Sequence, residues 1–371
     1  MNPSGDRRCV IAIDAGTTGV RSRAVFVDAR PAVAAYREFA QHFPSPGWVE
    51  HDANEIWEVA ATTLREAIDE VGRSNVAAIG ITNQRETVLA WNRSTGETYG
   101  NAIVWQDRRT ASRCDELAAA GHLALIRERT GLVLDPYFSG TKAAWLLEHR
   151  DIPVDDDLAI GTIDSWLVWN LTGGRRFVTD ATNASRTMLC DIRTCSWDPE
   201  LCELLGVPIA ALPEIVPSSG RIGTTSADCG VPEGIAISGI AGDQQAALFG
   251  QACVTPGMAK NTYGTGSFVL LNVGETCPPP TEGMLTTVAW TLADGTTHYA
   301  LEGSIFVTGA AVQWLRDGLQ IIDDAAETGP LAESVDDTGG VYVVPAFTGL
   351  GSPWWDPYAR GTIVGLSLIH I

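Results

Sequence analysis

Residues 9–28 read CVIAIDAGTTGVRSRAVFVD. Cys9 to Ile13 is an apolar, β-branched run that ends in Asp14, and Ala24 to Val27 is a second, closed by Asp28. Between them Asp14-Ala15-Gly16-Thr17-Thr18-Gly19-Val20-Arg21 is a small-residue turn with two hydroxyls and one cation. The pattern predicts strand, tight loop, strand. Glycine lets the backbone approach a ligand closely, and N–H groups curled round such a turn form an anion-binding concavity. Asp14, at the end of a buried strand, is placed to hold a hydrated magnesium ion, a hard cation that prefers carboxylate and water ligands. The competing reading is a plain hairpin with a polar tip. Taken alone, this stretch leans slightly that way.

Residues 258–273, MAKNTYGTGSFVLLNV, repeat the arrangement around Gly264-Thr265-Gly266-Ser267. Two strand–loop–strand cradles, each opening one half of the chain, predict an internal duplication with a nucleotide held between the halves. Neither loop carries the Walker-type lysine pattern.

The chain has 371 residues, which favours two domains. A hydrophobic content of 45% allows a large core. The 45 acidic and 25 basic residues leave a net charge of −20, spread along the chain. That balance argues against nucleic acid and anionic membranes as partners. No apolar run approaches a membrane span, and MNPSGDRR lacks a signal-peptide core, so a cytoplasmic protein is expected. The eight cysteines form no C-x-x-C pair and read as reduced, mostly buried thiols. None of the six histidines has metal-ligand spacing, so structural roles are expected.

Asp52 opens a helix to about residue 72, with Glu55 completing the form of a capping box and Ile56, Trp57, Ala60, Leu64 and Ile68 on one face. Val76 to Thr82 is a buried strand that runs into Asn83-Gln84-Arg85-Glu86. The end of such a strand is where open α/β sheets place ligand groups; an ordinary surface ion pair is equally open. A strand over Asn101–Trp105 brings Trp105 to either a pocket wall or the core, and core is the commoner fate. Tyr137, beside Pro136, is a candidate wall or hydroxyl donor ahead of a helix from Ala143 to His149. The polar loop Thr179–Thr187 reads mainly as structural capping, while its dense hydroxyls and Arg186 keep a ligand role open. Ile235 to Ile240 leads into Gly242-Asp243-Gln244-Gln245, where Asp243 could accept a proton from a substrate hydroxyl, cap the helix, or both. Residues 297–302 read as a strand and Ser304–Leu319 as a helix, whose small residues at Gly309 would let a nucleotide lie close.

These runs together resemble the glycerol kinases of the FGGY carbohydrate-kinase family, within the actin and hexokinase superfamily. The resemblance is carried by GWVEHD (47–52), GITNQRET (80–87), NAIVWQ (101–106), DPYFSGTK (135–142), TNASRT (182–187), GIAGDQQ (239–245), KNTYGTG (260–266) and YVVPAFTGLG (342–351). It implies an α/β fold of two actin-like, ribonuclease H-like ATPase domains with a catalytic cleft between them. It also implies ATP-dependent phosphorylation of glycerol to sn-glycerol 3-phosphate with magnesium. Full-length relatives are expected to be homo-oligomers. Residue by residue it assigns Asp243 as the base and Arg85, Glu86, Trp105, Tyr137, Gln244 and Phe268 as further glycerol contacts. Thr17, Thr18, Gly19 and Arg21 form the first phosphate loop. Thr265 lies in the second, Gly309 and Gln313 are on the nucleotide side, and Asp14 is the magnesium residue.

Three departures stand out. Ala15 and Gly19-Val20 replace a glutamine and two serines usual in the first loop, which predicts weaker or altered nucleotide contacts. Ala227–Gly234 does not resemble the regulatory fructose bisphosphate loop of some members. The resemblance ends near Leu366, so the expected division is an N-terminal domain over 1–248, an incomplete C-terminal domain over 249–366 and a non-native tail over 367–371. A kinase for another small polyol or sugar, or an inactive fragment, are the alternatives. An incomplete second domain should leave apolar surface exposed.

Overall fold

The structure, a computed structural model, describes residues 8–370. Its largest sheet has six strands in the order Ser219–Thr224, Ala236–Gly242, Val76–Asn83, Cys9–Ala15, Gly19–Phe26 and Val33–Glu38. The three N-terminal strands form an antiparallel meander, and Cys9–Ala15, Val76–Asn83 and Ala236–Gly242 run parallel. Side chains alternate across the sheet, as period-2 patterning requires. Ile11, Ile13, Val20, Ala24, Ile79 and Ile81 point to one face, into a core built with Ile56, Leu64 and Ile68 of helix Ala53–Val71 and Trp166 and Leu167 of helix Ile163–Leu171. On the other face Val10 and Val25 are exposed.

The parallel register aligns three chain ends. Ala15 pairs with Asn83, and Asn83 with Gly242. Gly16-Thr17, Gln84-Arg85-Glu86 and Asp243 therefore all leave the sheet at one edge, outside the carboxyl ends of the parallel strands.

A smaller sheet of Glu50–His51, Ala102–Ile103, Val88–Asn92 and Leu158–Thr162 lies beside it. Ala143, Ala144 and Leu146 of helix Ser139–His149 pack in the same core cluster as Val88, Ala90 and Ile103. In the second half, Ala259–Tyr263 and Ser267–Gly274 form a hairpin with Tyr263 opposite Ser267, enclosing Gly264-Thr265-Gly266. The hairpin is thus repeated, but the sheet around it is not. This second sheet, ordered Ala259–Tyr263, Ser267–Gly274, Thr297–Ile305, Leu285–Thr291, is entirely antiparallel. Strand Tyr342–Val344 stands apart, paired with Thr362–Val364, and all six of those residues are exposed. Beyond Val307, among the described residues, the buried apolar side chains are Ile322 and Ala346, while Trp354, Leu366 and Leu368 are exposed. One core cluster joins the halves: Phe268, Leu270, Leu285, Trp290, Ala300 and Phe306 pack with Val88, Ile103, Trp105, Tyr137 and Phe138.

Several sequence expectations are corrected. Asp52 does cap its helix, accepting from the Asn54 amide, but Glu55 accepts from the Ala40 amide and forms no capping box. The strand expected over Asn101–Trp105 shrinks to Ala102–Ile103, and the helix before His149 starts earlier, at Ser139. Ser304 and Ile305 still belong to the strand, and the helix starts only at Gly309, α-helical to Gln313 and continuing in wider turns to Gly318. The reason is pairing: Ser304 sits opposite Phe268 and Ile305 opposite Ser267. All eight cysteines are free thiols, as expected. Among the described residues no helix is long and apolar enough to cross a membrane.

Candidate active site

A cleft of about 200 Å³ opens where the strand ends meet the second hairpin. Thr17, Gln84, Arg85, Glu86, Trp105, Tyr137, Asp243, Gln244, Thr262, Gly264, Thr265, Gly266 and Phe268 line it. The fold thus gathers nine of the expected site residues: Thr17, Arg85, Glu86, Trp105, Tyr137, Asp243, Gln244, Thr265 and Phe268. The volume suits a small polyol and is below the usual size of a drug-like pocket.

One wall is aromatic. Trp105 stands edge-on to Tyr137 at 5.7 Å and to Phe268 at 6.0 Å. Trp105 is 8% exposed, so it serves both core and pocket. Its indole N–H donates to Thr17 Oγ1 at 3.0 Å. Since the indole has no acceptor, the Thr17 hydroxyl proton is left free for a ligand oxygen. Lys142, fully buried, ties this wall together by donating to the carbonyls of Val104, Trp105 and Tyr137 at 2.8, 3.2 and 3.3 Å. Burial pushes its ammonium down to about 7.

The charged side of the cleft adjoins the aromatic wall, with Arg85 donating to the Tyr137 hydroxyl at 3.1 Å. Glu86 has φ of 62°, a left-handed conformation that costs a non-glycine residue on the order of 1 kcal/mol and is characteristic of functional sites. Burial raises its carboxyl despite the neighbouring Arg85 and Arg186. Arg186 Nε donates to Glu86 Oε1 at 2.6 Å. Arg85 Nε lies 3.4 Å from Asp243 Oδ1.

Asp243 is the first residue of helix Asp243–Gly250, but its carboxylate does not cap it; the N-cap is Gly242, with no side-chain bond. Asp243 accepts instead from the Gln244 amide at 2.7 Å and from Gln244 Nε2 at 3.1 Å, and its side chain is 36% exposed. The strand-to-helix turn is pinned from behind, where the Gly242 amide donates to Thr182 Oγ1 at 2.8 Å. Lys260 donates to Gln244 Oε1 and, at 2.9 Å, to Thr262 Oγ1, and burial lowers its ammonium to about 8.

The first loop is held by carbonyl contacts. Gln84 Nε2 donates to the Gly16 carbonyl at 3.1 Å and Gln41 Nε2 to the Thr17 carbonyl at 2.9 Å. His51 bridges the two glutamines, at 3.2 Å from Gln84 Nε2 and 2.7 Å from Gln41 Oε1. Burial drops its pKa to about 3, so it is a neutral structural link.

The remaining expected residues do not line the cleft. Asp14 sits next to it, half-buried, and burial and repulsion from Asp243 raise its carboxyl, partly offset by Arg21. Asp14 and Asp243 are near enough to repel each other, and carboxylates are the hard oxygen donors that magnesium takes together with phosphate and water, so the residues present fit that ion. Thr18 and Arg21 are exposed, and Arg21 lies over the Tyr36 ring at 5.3 Å. Gly19 is buried and pairs with Glu38 of the neighbouring strand Val33–Glu38. Gly309 backs the second loop, its amide donating to the Gly264 carbonyl at 2.9 Å, while Gln313 is exposed on the same helix. A Cβ on Gly309 would come within 2.5 Å of that carbonyl, so the closeness its small size permits is to the loop itself.

Glu302 was missed by the sequence reading. It is fully buried on the Thr297–Ile305 strand and holds both Arg85 and Arg186. Its signal was an acid on the buried period of Ala300, Glu302 and Ser304, where a charge must find a partner.

The N-terminal domain profile of the FGGY family of carbohydrate kinases matches residues 9–250, and its C-terminal domain profile matches residues 259–370. The chain belongs to the FGGY family of carbohydrate kinases. Within it, the chain is 55% identical over 368 residues to a glycerol kinase of Alkalilimnicola ehrlichii, covering 97% of this chain and 74% of that protein. It is 57% identical over 364 residues to a glycerol kinase of Trichlorobacter lovleyi, covering 96% and 73%. The structure superposes on glycerol kinase of Plasmodium falciparum with ADP at a TM-score of 0.85, with 36% identity over 97% of this chain and 73% of that one. A gluconate kinase of Lactobacillus acidophilus shares the fold at a TM-score of 0.84 and 22% identity.

Proposed function

We propose that this chain transfers the terminal phosphoryl group of ATP to glycerol, giving sn-glycerol 3-phosphate and ADP. The observation that carries the reading is the single cleft. It brings together a partly exposed carboxylate, a buried Arg-Glu pair, three aromatic rings and two Gly-Thr loops. Similarity to glycerol kinases over nearly the whole chain supports the same substrate.

On this reading the aromatic edges pack on the carbon backbone of glycerol, and Arg85, Glu86, Tyr137 and Gln244 take its hydroxyls. Asp243 orients the terminal hydroxyl and accepts its proton as the oxygen–phosphorus bond forms and the bond to ADP breaks. Asp14 would hold magnesium through water, and the ion neutralises phosphate charge when bound. Thr17, Thr265 and the loop amides stabilise the transferring group; Thr18, Gly19 and Arg21 shape the first loop, and Gly309 and Gln313 the nucleotide side. Catalysis is then mostly positioning and electrostatics. We assign residues 1–248 to the glycerol-binding domain and 249–366 to the second domain. ATP as co-substrate makes the cytoplasm the compartment.

The test is glycerol- and magnesium-dependent ADP release, with a panel of other polyols and sugars. Asp243→Asn should lower turnover by about 10²–10⁴-fold with glycerol binding nearly intact. Wild-type turnover in that variant removes the base assignment, and preference for another polyol removes glycerol.

A further inference from the structure

Arg85 has five N–H donors, and the structure accounts for four of them. Nη1 donates to Glu302 Oε2 at 2.6 Å and to Gln245 Oε1 at 3.2 Å. Nη2 donates to Glu302 Oε1 at 3.1 Å and to the Tyr137 hydroxyl at 3.1 Å. Among the described residues only the Nε–H has no hydrogen-bond partner, and Nε lies 3.4 Å from Asp243 Oδ1. The fork end of the guanidinium is therefore clamped by Glu302 in a two-point grip, a geometry that sets the plane as well as the position of the group. What is left for the cleft is the Nε edge.

Glu302 does the same for Glu86 at one remove. Its Oε1 also accepts from Arg186 Nη2 at 3.0 Å, and Arg186 uses Nε to hold Glu86 Oε1 at 2.6 Å. Glu86 Oε2 has no hydrogen-bond partner among the described residues, and Glu86 lines the cleft, so that oxygen is available as an acceptor. Ser304 Oγ steadies the clamp, donating to Glu302 Oε1 at 2.8 Å. The four side chains Arg85, Arg186, Glu86 and Glu302 are each no more than 2% exposed, and their charges cancel.

Three of the four belong to the first half of the chain, whereas Glu302 comes from the second sheet. We propose that Glu302 is a positioning residue for the polyol site. It clamps the Arg85 fork and, through Arg186, presents Glu86, so that the second sheet completes a substrate pocket whose contacting residues lie mostly on the first half. The proposal rests on Arg85 and Glu86 being substrate contacts. Burial alone would raise the Glu302 carboxyl, but Arg186 and Arg85 overcome it and hold it down at about 2, consistent with a clamp that stays charged.

The experiment follows binding by tryptophan fluorescence, since Trp105 lines the cleft, together with steady-state turnover. Wild type is titrated with a panel of polyols first, and variants are then compared on whichever polyol wild type binds. A panel in which glycerol is not that polyol strikes the glycerol reading and leaves the Glu302 test intact. Glu302→Gln should weaken polyol binding at least tenfold with the ATP KM changed less than threefold. Combined with Arg85→Lys it should cost clearly less than the sum of the two changes, because they share the Glu302–Arg85 contact. Since Glu302→Gln could unfold the protein by leaving two arginines against one acid, Ser304→Ala serves as the charge-neutral version. It should raise the polyol dissociation constant severalfold in a chain that melts near wild type. Folded Ser304→Ala and Glu302→Gln chains that bind polyol as wild type does would overturn the proposal, as would fully additive losses with Arg85→Lys.

Discussion

At the scale of single residues, burial decides which charges work and which are structural. Asp164 is a case outside the cleft. It is fully buried, and it accepts from Thr162 Oγ1 at 2.5 Å and Thr179 Oγ1 at 2.7 Å. Burial, followed by repulsion from Asp180, raises its pKa to about 6 from an ordinary 3.8. Between those two values the folded chain binds a proton that the unfolded chain does not, so stability falls as pH rises through that window. An asparagine there keeps one acceptor and gains a donor without the charge. Asp164→Asn should be more stable than wild type above about pH 6, by on the order of 2–3 kcal/mol, with the gap closing toward pH 4. Denaturant melts at the two pH values check it; a gap that widens on acidification would contradict the assignment. The same reasoning separates His51, neutral and structural, from Asp243, which is partly exposed at the cleft. Motif spacing alone could not rank Asp243 as base or cap. The structure gives the N-cap position to Gly242 and holds the Asp243 carboxylate on Gln244, 36% exposed at the cleft.

At the scale of elements, the first hairpin was legible because its alternation and turn are local. The replacement of a serine by Gly19 was read as the loss of a hydroxyl near the phosphates. Geometry adds a reason that was not local. A Cβ at Gly19 would lie 2.5 Å from the Arg37 carbonyl oxygen and 2.7 Å from the Tyr36 hydroxyl, both on strand Val33–Glu38. That strand packs too closely for any side chain there. Gly19→Ala should therefore destabilise by about 1–3 kcal/mol. Truncating Tyr36 in the same chain should recover only part of the loss, because the closer obstacle is backbone. Paired thermal melts decide this, and full recovery would show that the tyrosine alone sets the limit. The helix expected from Ser304 starts only at Gly309 for a related reason. Pairing of Ser304 and Ile305 with the second hairpin outcompetes the local helical pattern.

At the scale of the molecule, the shared core means that the halves are not independent. Phe268, Leu285 and Trp290 pack into the cluster that holds Val88, Trp105 and Tyr137, and the Glu302 clamp crosses the same boundary. The six-stranded sheet and the four-stranded antiparallel sheet of the second half should melt in one transition, while the exposed ribbon of Tyr342–Val344 and Thr362–Val364 exchanges its amides early. Hydrogen exchange resolved by segment tests this, and separate protection losses in the two sheets would contradict it. Glycerol at about 100 times its dissociation constant should stabilise the folded state by about 2.7 kcal/mol. The resulting rise in melting temperature should exceed that in equal sorbitol, and should vanish in Arg85→Ala.

The sequence by itself determined the two Gly-Thr hairpins, the strand ends that carry Arg85-Glu86 and Asp243, the family, and most of the residues in the cleft. Those features are local: alternation, turn chemistry and contiguous motifs are set by neighbours along the chain. Only the tertiary structure decided that Asp14, Thr18, Gly19, Arg21, Gly309 and Gln313 stand outside the cleft lining, and that Glu302, Arg186, Lys142 and His51 hold it from behind. Parallel register brings distant strand ends together, and a buried charge reveals its role only when its partners, far away in the chain, are in place.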